Sequence, residues 1–373
     1  MSLARASTPV LVGLAGLSVV LYALAEKSIA PVHAMAYRKK LEAVRLVQQA
    51  ERVIARSKMA RGITVDRKND PEGFGVIGPQ FSLVTTDRGA QSAKMLAAHP
   101  NFAAAVIQMM LKAGVGPGDL VAVGMTGSLP GLNLATLAAC RAIGAEPITI
   151  TSVGSSMFGA TDPNLTWLDM ETVLERAGVW PYRSFAASLG GGGDVGRGLS
   201  PTGRQLLADA IERNGVRALE APSLLEAVHQ RMALYDSVAR SRGKVVKLYV
   251  NVGGGLASLG GSQNGRLIPS GLSRRLAGRT YPNRGVINFY AERGVPVVHL
   301  LHVRSLANEF DIIDAGANAV PVGRGPLFIH YRYNLWIVGG AEVLVLAANL
   351  FVLRRDLRQR LLGRPHPERT LQT

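Results

Sequence analysis

The chain has 373 residues, 47% of them hydrophobic, and carries 42 lysine and arginine residues against 26 aspartate and glutamate residues, a formal charge of +16. Its one cysteine, Cys140, excludes an intramolecular disulfide and a zinc site built on paired cysteines, and the apolar residues around it predict a packing role. The length suffices for one large domain or two small ones.

The first predicted element is an uncharged run at residues 6–25, between Arg5 and Glu26. Its length matches the roughly 20 residues with which a helix crosses about 30 Å of hydrocarbon. A cleaved signal peptide is the alternative, because residues 23–25 look like a cleavage site, although the apolar run is long for such a peptide. We therefore predict a transmembrane helix after a short cytoplasmic tail, residues 1–5.

A basic segment at residues 34–60 comes next. Its apolar residues recur at helical spacing: Leu41, Val44, Val47 and Ile54. This pattern predicts a helix that lies on the bilayer surface or stands off the next domain as a partly packed stalk. Residues 62–80 contain several glycines and prolines and are typical of a linker. Residues 26–78 are thus predicted to form a membrane-proximal helix and linker before a domain at 79–332.

Short apolar runs recur within this domain, and each leads into a loop that contains glycine, serine or asparagine. The runs are residues 120–124, 147–151, 184–189, 245–250 and 295–302. Helical segments follow two of them, at 132–143 and 201–214. This alternation is typical of an α/β domain with a mainly parallel, doubly wound (Rossmann-like) sheet. The loops that leave the carboxyl ends of such strands form the ligand crevice, so we expect them to gather at one edge.

The first two loops combine glycine with serine. Gly127, Ser128 and Asn133 lie in a turn that opens a helix, where free N–H groups favour an anion. Ser128 is a candidate for a helix cap, an anion ligand or a nucleophile, although the usual nucleophile-elbow motif is missing. Ser155 and Ser156 in the next loop either cap a helix or contribute to the same ligand site.

Four consecutive glycines begin the third loop, at residues 190–193. Such a run predicts either a mobile surface loop or backbone that passes close to a ligand at Gly193. Asp194 is a candidate acid, base or cation ligand, and Arg197 a candidate clamp for a carboxylate or phosphate.

The last two loops add further polar groups. Asn251 precedes a glycine triplet, Gly253, Gly254 and Gly255, which is suited to a backbone anion site. His302 ends the last strand run. Ser128, Asp194 and His302 are the candidates for a catalytic trio. His299 and His302 fall on opposite faces of a strand and are unsuited to bind one metal ion together, and we predict neither a metal site nor a cofactor.

A second apolar run, residues 333–353, is bordered by aromatic residues on one side and by Arg354 and Arg355 on the other. It is predicted to be a second transmembrane helix. Glu342 lies near its middle and either faces a partner helix or a polar pathway, or is a tolerated, protonated side chain.

The tail at residues 354–373 contains six arginines, which predicts a cytoplasmic location by the positive-inside rule. Two spans place both termini on that side and the domain outside the cytoplasm. Residues 27–332 keep 35 basic and 22 acidic side chains, a formal charge of +13. Such a charge favours an anionic partner. No pattern typical of nucleic-acid binding is present, so nucleic acid is not predicted.

Several motifs in residues 74–325 resemble the poly-γ-glutamate system protein family. They are AHPNFA at 98–103, GDLVAVGMTGS at 118–128, NLTWLDME at 164–171, GGDVGRGLS at 192–200 and NVGGG at 251–255. The resemblance implies a bacterial membrane protein with a role in making, exporting or anchoring the anionic capsule polymer poly-γ-glutamate. It supplies no catalytic residue.

Three functions are compatible with these features. The first is a membrane-anchored accessory component of poly-γ-glutamate synthesis or export, whose basic domain contacts the polymer or its membrane synthase. The second is a hydrolase or amide-transferring enzyme that acts on the polymer through Ser128 or Asp194. The third is a structural subunit that binds other membrane proteins through Glu342 and the two spans.

Overall fold

A computed structural model describes residues 8–64, 66–276, 280–314, 316 and 318–362, without the side chains of 356, 357 and 359–362. The predicted tail at 1–5 and the part of the carboxyl-terminal tail from 363 onward lie outside the described residues. The chain divides into two compact units. One contains residues 34–328, and the other contains residues 1–33 and 329–373.

The described residues form eleven strands and thirteen helices. The strands are β1 (Ala30–His33), β2 (Thr85–Asp87), β3 (Leu120–Thr126), β4 (Glu146–Ser152), β5 (Ser155–Ser156), β6 (Ser184–Ser188), β7 (Arg217–Ala218), β8 (Val246–Val252), β9 (Gly271–Ser273), β10 (Val297–Leu300) and β11 (Ile329–Arg332). The helices are α1 (Thr8–Lys27), α2 (Tyr37–Ala60), α3 (Gln91–Ala97), α4 (Asn101–Lys112), α5 (Pro130–Ile143), α6 (Trp167–Arg176), α7 (Pro201–Arg213), α8 (Leu224–Ser241), α9 (Leu256–Leu259), α10 (Asn264–Leu267), α11 (Val286–Glu292), α12 (Val303–Glu309) and α13 (Leu335–Leu362).

A seven-stranded sheet lies at the centre of the larger unit, with the strand order β7-β6-β4-β3-β8-β10-β9. Each neighbouring pair is parallel except β10 and β9, which are antiparallel. The prediction of an α/β fold with a mainly parallel sheet is confirmed. β3 is the first strand of this sheet along the chain, and it has β4 on one side and β8 on the other. The strand order therefore reverses at β3.

The strands form where the apolar runs predict them, because both faces of the sheet are covered. Each residue of β3 is buried. The alternation of side chains places Leu120 and Ala122 in a hydrophobic cluster with α8 and α11. Val121 and Val123 are equally buried on the other face. The run predicted at 295–302 forms a strand only from Val297 to Leu300.

The cluster beneath α8 and α11 contains three buried tyrosines. Tyr235 and Tyr249 meet edge to face at 6.1 Å between ring centroids, and Tyr249 stacks on Tyr290 at 5.0 Å. The Tyr235 hydroxyl donates a hydrogen bond to the carbonyl of Val123, which fastens α8 to the central strand. These contacts fix α8 over the middle of the sheet.

Helix α2 belongs to this unit and contacts α4, α5 and α6. The sequence places it in a separate membrane-proximal segment, but its apolar positions Val44, Val47 and Ile54 are fully buried in the unit. Lys40 is buried too, and its ammonium donates to the Leu327 carbonyl at 2.8 Å and to the Gln108 side chain at 2.8 Å. The compact unit thus starts at residue 34 and includes α2.

The smaller unit contains two helices long and apolar enough to cross a membrane, Thr8–Lys27 and Leu335–Arg355 within α13. They overlap the runs predicted at 6–25 and 333–353. β1 and β11 pair as an antiparallel ribbon. Glu342 lines a groove of about 460 Å³ between α1 and α13, together with Ser18 and Tyr22.

Candidate functional site

A cavity of about 710 Å³ lies at the carboxyl ends of β3, β4, β6 and β8. Its lining includes residues from the predicted loops that follow these four strands: Ser128, Gly154, Ser156, Gly191, Gly192, Arg197, Gly253, Gly254 and Gly255. The loops converge because the strands before them are parallel and adjacent, so their carboxyl ends meet at one edge of the sheet. Residues 86–94 form another part of the wall, and no sequence pattern marked them as part of a site. Gly261, Ser262, Leu301 and Val303 line the cavity as well.

Glycine backbone forms much of this wall, and at several of these positions a side chain would not fit. Gly253 has φ +90°, and a Cβ atom on it would lie 2.2 Å from the Thr126 hydroxyl. Thr126 itself donates to the Val252 carbonyl at 3.3 Å, so it has little room to move. At Gly253 the chain that leaves β8 therefore packs directly on Thr126 at the end of β3, and its backbone lines the cavity without a side chain.

Two serines and a lysine meet on the cavity wall. The backbone N–H of Ser156 donates to the Ser128 hydroxyl at 3.0 Å. The Lys94 ammonium nitrogen lies 2.7 Å from the Ser156 hydroxyl and also donates to the Ser128 carbonyl. Ser156 is held in place by β5, which pairs in parallel with β2. These contacts join α3, the turn after β3 and the loop after β4.

Lys94 is only 5% exposed, although it lines the cavity. Burial lowers the pKa of its ammonium group from 10.5 to about 7, and the carboxylate of Asp87 opposes this effect only in part. Lys94 therefore exists at neutral pH as a mixture of charged and neutral forms. Lys94 was not recognised from the sequence. Its neighbours form a short helix without any recognised motif.

Asp194, a predicted acid, base or cation ligand, forms a buried ion pair. Its carboxylate lies 2.6 Å from the guanidinium of Arg231 on α8, and each side chain is only 2–3% exposed. Ser152 donates to the other carboxylate oxygen at 2.7 Å. Burial acts to lower the pKa of Arg231, but the charge of Asp194 and its hydrogen bond raise it above the ordinary value.

This ion pair fixes the glycine loop to the sheet. Asp194 adopts φ +66°, a left-handed conformation that is uncommon for a residue with a side chain. Arg231 also donates to Ser188 at 2.7 Å, at the end of β6. The carboxylate thus pairs within the protein and does not line this cavity. Arg231 was not recognised from the sequence.

The rim of the cavity carries exposed charges. Arg88 and Arg197 both line it and are exposed, with Asp87 beside Arg88. Two guanidinium groups and Lys94 give the cavity more positive than negative side chains. Arginine binds carboxylates through two parallel N–H donors, so a carboxylate ligand matches this rim.

Several other predicted residues support the loops from below the surface. Asn133 donates to the Thr126 carbonyl at 2.9 Å, and Ser155 donates to the Gly127 carbonyl at 3.0 Å. Asn251 is fully buried and donates to the Gly253 carbonyl at 2.8 Å. These side chains hold the turns in shape and do not line the cavity.

Gly127 and Gly193 are not among the cavity-lining residues. A Cβ atom on Gly127 would lie 2.4 Å from the Val153 carbonyl, so this glycine allows two loops to pack together. Gly193 has φ +65° and precedes the buried Asp194. Both positions shape the loops that form the site.

The members of the suggested trio have different hydrogen-bond partners. His302 donates to the Gly265 carbonyl at 2.9 Å, Asp194 is paired with Arg231, and Ser128 accepts from Ser156. The neighbouring His299 is fully buried, and burial lowers its pKa to about 4, which keeps the ring neutral. In the described part of the chain, no group of three or more histidine, cysteine or acidic side chains is placed to hold a metal ion.

Cys140 is fully buried in α5, as its apolar neighbours predict. Burial raises the pKa of its thiol to about 12, so the reactive thiolate is not formed at neutral pH.

No family model, curated protein or solved structure matches this chain.

Proposed function

We propose that the protein is a membrane-anchored accessory component of poly-γ-glutamate synthesis or export, and that its cavity binds carboxylate groups of this polymer. The observation that carries the proposal is the convergence of Arg88, Lys94 and Arg197 on one glycine-walled cavity. The motif resemblance and the basic charge of residues 27–332 support the same ligand. In this proposal the fold is doubly wound and Rossmann-like, with the ligand beside the strand reversal at β3.

The size of the cavity limits what it can hold. Ligand pockets of about 300–1,000 Å³ enclose small molecules, and this cavity has a volume of about 710 Å³. It would therefore take a chain end or a few residues of the polymer, with the remainder in solvent. Arg88 and Arg197 would bind carboxylates at the rim, while Lys94 would lie in the wall beside the enclosed part of the chain.

Binding to the full chain in neutral-lipid nanodiscs tests the proposal. Poly-γ-glutamate of defined length should bind at low salt, and its affinity should fall steeply as sodium chloride is added. Because hydrogen bonds to charged groups contribute about 1.5–3 kcal/mol each, the combined Arg88→Gln and Arg197→Gln variant should lose at least about tenfold in affinity.

Arg240→Gln provides a matched control, since Arg240 is exposed near the end of α8 and does not line the cavity. It removes an arginine charge without changing the cavity and should leave the affinity almost unchanged. Equal losses in the two variants would assign binding to overall charge. Absence of binding at low salt would contradict the proposal.

The proposal places α1 and α13 in a bacterial cell membrane, with both termini in the cytoplasm and the α/β unit outside. Protease added to intact spheroplasts should digest the unit at residues 34–328 and leave an epitope tag at the carboxyl terminus intact. Digestion of the tag, with protection of the unit, would reverse this orientation. The apolar length of the two helices and the arginines after the second one support this arrangement.

A structural role in a membrane complex is a second candidate, supported by the position of Glu342. This carboxyl group lines a groove between α1 and α13 rather than pointing away from both helices. Glu342→Leu should reduce the recovery of partner membrane subunits in a pull-down. Val343→Leu, at an exposed apolar position of the same helix, is the control. Undiminished recovery with Glu342→Leu would leave Glu342 as a passive residue.

A further inference from the structure

The contact between Ser156 and Lys94 has a feature that simple anion binding does not require. The lysine nitrogen lies 2.7 Å from a serine hydroxyl that lines the same cavity. An ammonium group that served only as a positive charge would be expected to face the ligand or a carboxylate. Here the nitrogen instead donates to the Ser156 hydroxyl and to the Ser128 carbonyl, so the hydroxyl lies within reach of the lysine once the ammonium group has lost a proton.

We propose that Ser156 is a nucleophile and Lys94 its general base, and that together they form an acyl-transfer site. The substrate class is an amide bond in a carboxylate-rich chain. This assignment of the substrate rests on the function proposed above, whereas the assignment of the nucleophile rests on the geometry of Lys94 and Ser156 alone.

The environment of Lys94 supports its role as a base. Its pKa of about 7 leaves a large neutral fraction at physiological pH, and burial is the main cause. Asp87 is the charged neighbour that raises the pKa, while Arg88 and Arg197 lie on the cavity rim. Helix α12 packs against α3, and its charged residues Arg304 and Glu309 are exposed.

The same contacts favour Ser156 over the other two serines. The Ser155 hydroxyl is buried and donates within the loop, to Gly127 and Ser156 carbonyls. Ser128 contributes its carbonyl to Lys94, and its hydroxyl accepts from the Ser156 backbone. Only the Ser156 hydroxyl, among these three, lies within hydrogen-bond distance of the lysine nitrogen.

Space around the pair is kept by Gly89. A Cβ atom on this residue would lie 2.7 Å from the Met157 carbonyl, 3.2 Å from the Lys94 side chain and 3.3 Å from the Ser156 hydroxyl. Glycine at this position therefore lets the backbone pass close to Met157 and adds no side chain beside the hydroxyl.

Amide hydrolysis at this site would proceed in two steps, acylation of Ser156 and hydrolysis of the resulting ester. The Ser156 oxygen attacks the amide carbonyl carbon while neutral Lys94 takes the hydroxyl proton, and the C–N bond breaks as Lys94 returns this proton to the leaving amine. Water next attacks the serine ester, Lys94 takes a proton from the water, and the proton returns to the Ser156 oxygen as the acid leaves. The net change is hydrolysis of one amide, and an amine in place of water gives transfer.

A fluorophosphonate probe, which bonds to an activated serine oxygen with loss of fluoride, tests the nucleophile directly. In the full wild-type chain in nanodiscs, mass spectrometry should locate the label on Ser156. The labelling rate should rise with pH through about 7, because the neutral form of Lys94 is the base. Ser156→Ala should abolish labelling, whereas Ser128→Ala should retain the label on Ser156.

Lys94→Arg separates base catalysis from charge. Arginine keeps the positive charge but stays protonated, so the variant should bind poly-γ-glutamate while its labelling rate falls by about 10²–10⁴-fold, the usual contribution of a general base. Ser156→Ala should likewise bind the polymer without shortening it, as measured by the length distribution. Polymer binding tests the proposed function and probe labelling tests the nucleophile. Because the two are measured separately, either proposal can fail while the other holds.

Two results would overturn the inference. One is a wild-type chain that is unlabelled at Ser156 even at pH 9. The other is a folded Lys94→Arg variant, judged by an unchanged thermal unfolding transition, that is labelled as fast as the wild type. Both results are informative without the polymer, so they test the nucleophile even if the substrate class is different.

Discussion

Two buried cations lie at the carboxyl edge of the same sheet, yet their surroundings differ. Arg231 faces the carboxylate of Asp194 at 2.6 Å and also donates to Ser152 at 3.1 Å and to Ser188 at 2.7 Å. Lys94 has a hydroxyl and a carbonyl as partners, and its pKa falls to about 7 through burial. Burial disfavours the charged form of both groups; the carboxylate of Asp194 outweighs this effect for Arg231, whereas Asp87 offsets it only in part for Lys94.

The difference separates a structural role from a chemical one. A guanidinium paired with a carboxylate stays charged and fixes the loop that carries Asp194 to the sheet. An ammonium group without a paired carboxylate can lose its proton close to neutral pH, and this allows it to act as a base. Lysine is suited to the second role and arginine to the first because only lysine changes its protonation in the physiological range.

The largest effect is expected from Arg231→Met. Removal of one partner leaves the Asp194 carboxylate buried and unpaired, and such losses typically cost about 3–5 kcal/mol. Chemical denaturation of the full chain in detergent would measure the change in the free energy of unfolding. Lys94→Met is the matched control, because it removes a buried cation without leaving a buried carboxylate, and it should cost no more than about 1–2 kcal/mol. Equal losses would contradict the distinction between the two cations.

The pH dependence of stability should reveal Lys94 separately. Its pKa is about 7 in the folded protein against 10.5 for the free group, so the unfolded chain binds more protons between these values. The free energy of unfolding should therefore rise with pH from about 7 to 10, by at most about 1.4 kcal/mol per pH unit. Lys94→Met should remove this rise. A variant with an unchanged slope would show that Lys94 titrates normally.

Much of the fold can be predicted from the sequence, because the apolar runs mark the positions of the strands. The runs near β3, β4, β6 and β8 are mostly buried, with Phe185 and Lys247 exposed, and were recognisable as apolar runs in the sequence. The convergence of their loops follows from parallel pairing. β7 and β9 are two and three residues long and show no pattern.

The chemical partners within the site could not be predicted in this way. Lys94 meets residues 34 and 62 positions away, and Arg231 meets a carboxylate 37 positions away. These sequence separations do not follow the regular spacing of a helix or a strand. Side-chain pairs of this kind depend on how α3 and α8 pack on the sheet, and local sequence does not determine that packing.

Burial also shifts the pKa of a carboxyl group in this protein, in the opposite direction to that of Lys94. Glu171 is fully buried and accepts hydrogen bonds from Trp167 at 2.8 Å and from the Ser184 backbone at 2.9 Å. Burial raises its pKa to about 7, although these hydrogen bonds oppose the shift. The folded protein thus holds a proton that the unfolded chain releases above about pH 4.5.

Stability should therefore fall as the pH rises from 4.5 to 7, and Glu171→Gln should flatten that part of the profile. At pH 7 we expect a change in unfolding free energy of about 1–2 kcal/mol or less, because glutamine keeps most of the hydrogen bonds. Glu175→Gln on the same helix is the control, since Glu175 is exposed in a pair with Arg183. A flattened profile in the control alone would contradict the assignment to Glu171.

The smallest effect is expected where a similar ion pair lies in solvent. Glu146 accepts from Lys244 at 2.8 Å and from Arg242 at 3.2 Å, and the hydrogen bond from Lys244 is the main cause of its lowered pKa. Lys244→Met should change the unfolding free energy by less than about 1 kcal/mol, because water and salt screen exposed pairs. The stabilisation should disappear as the pH falls below about 4.5, where Glu146 becomes protonated, and it should shrink in high salt. A loss as large as that of Arg231→Met would show that burial is not what distinguishes the Asp194 pair.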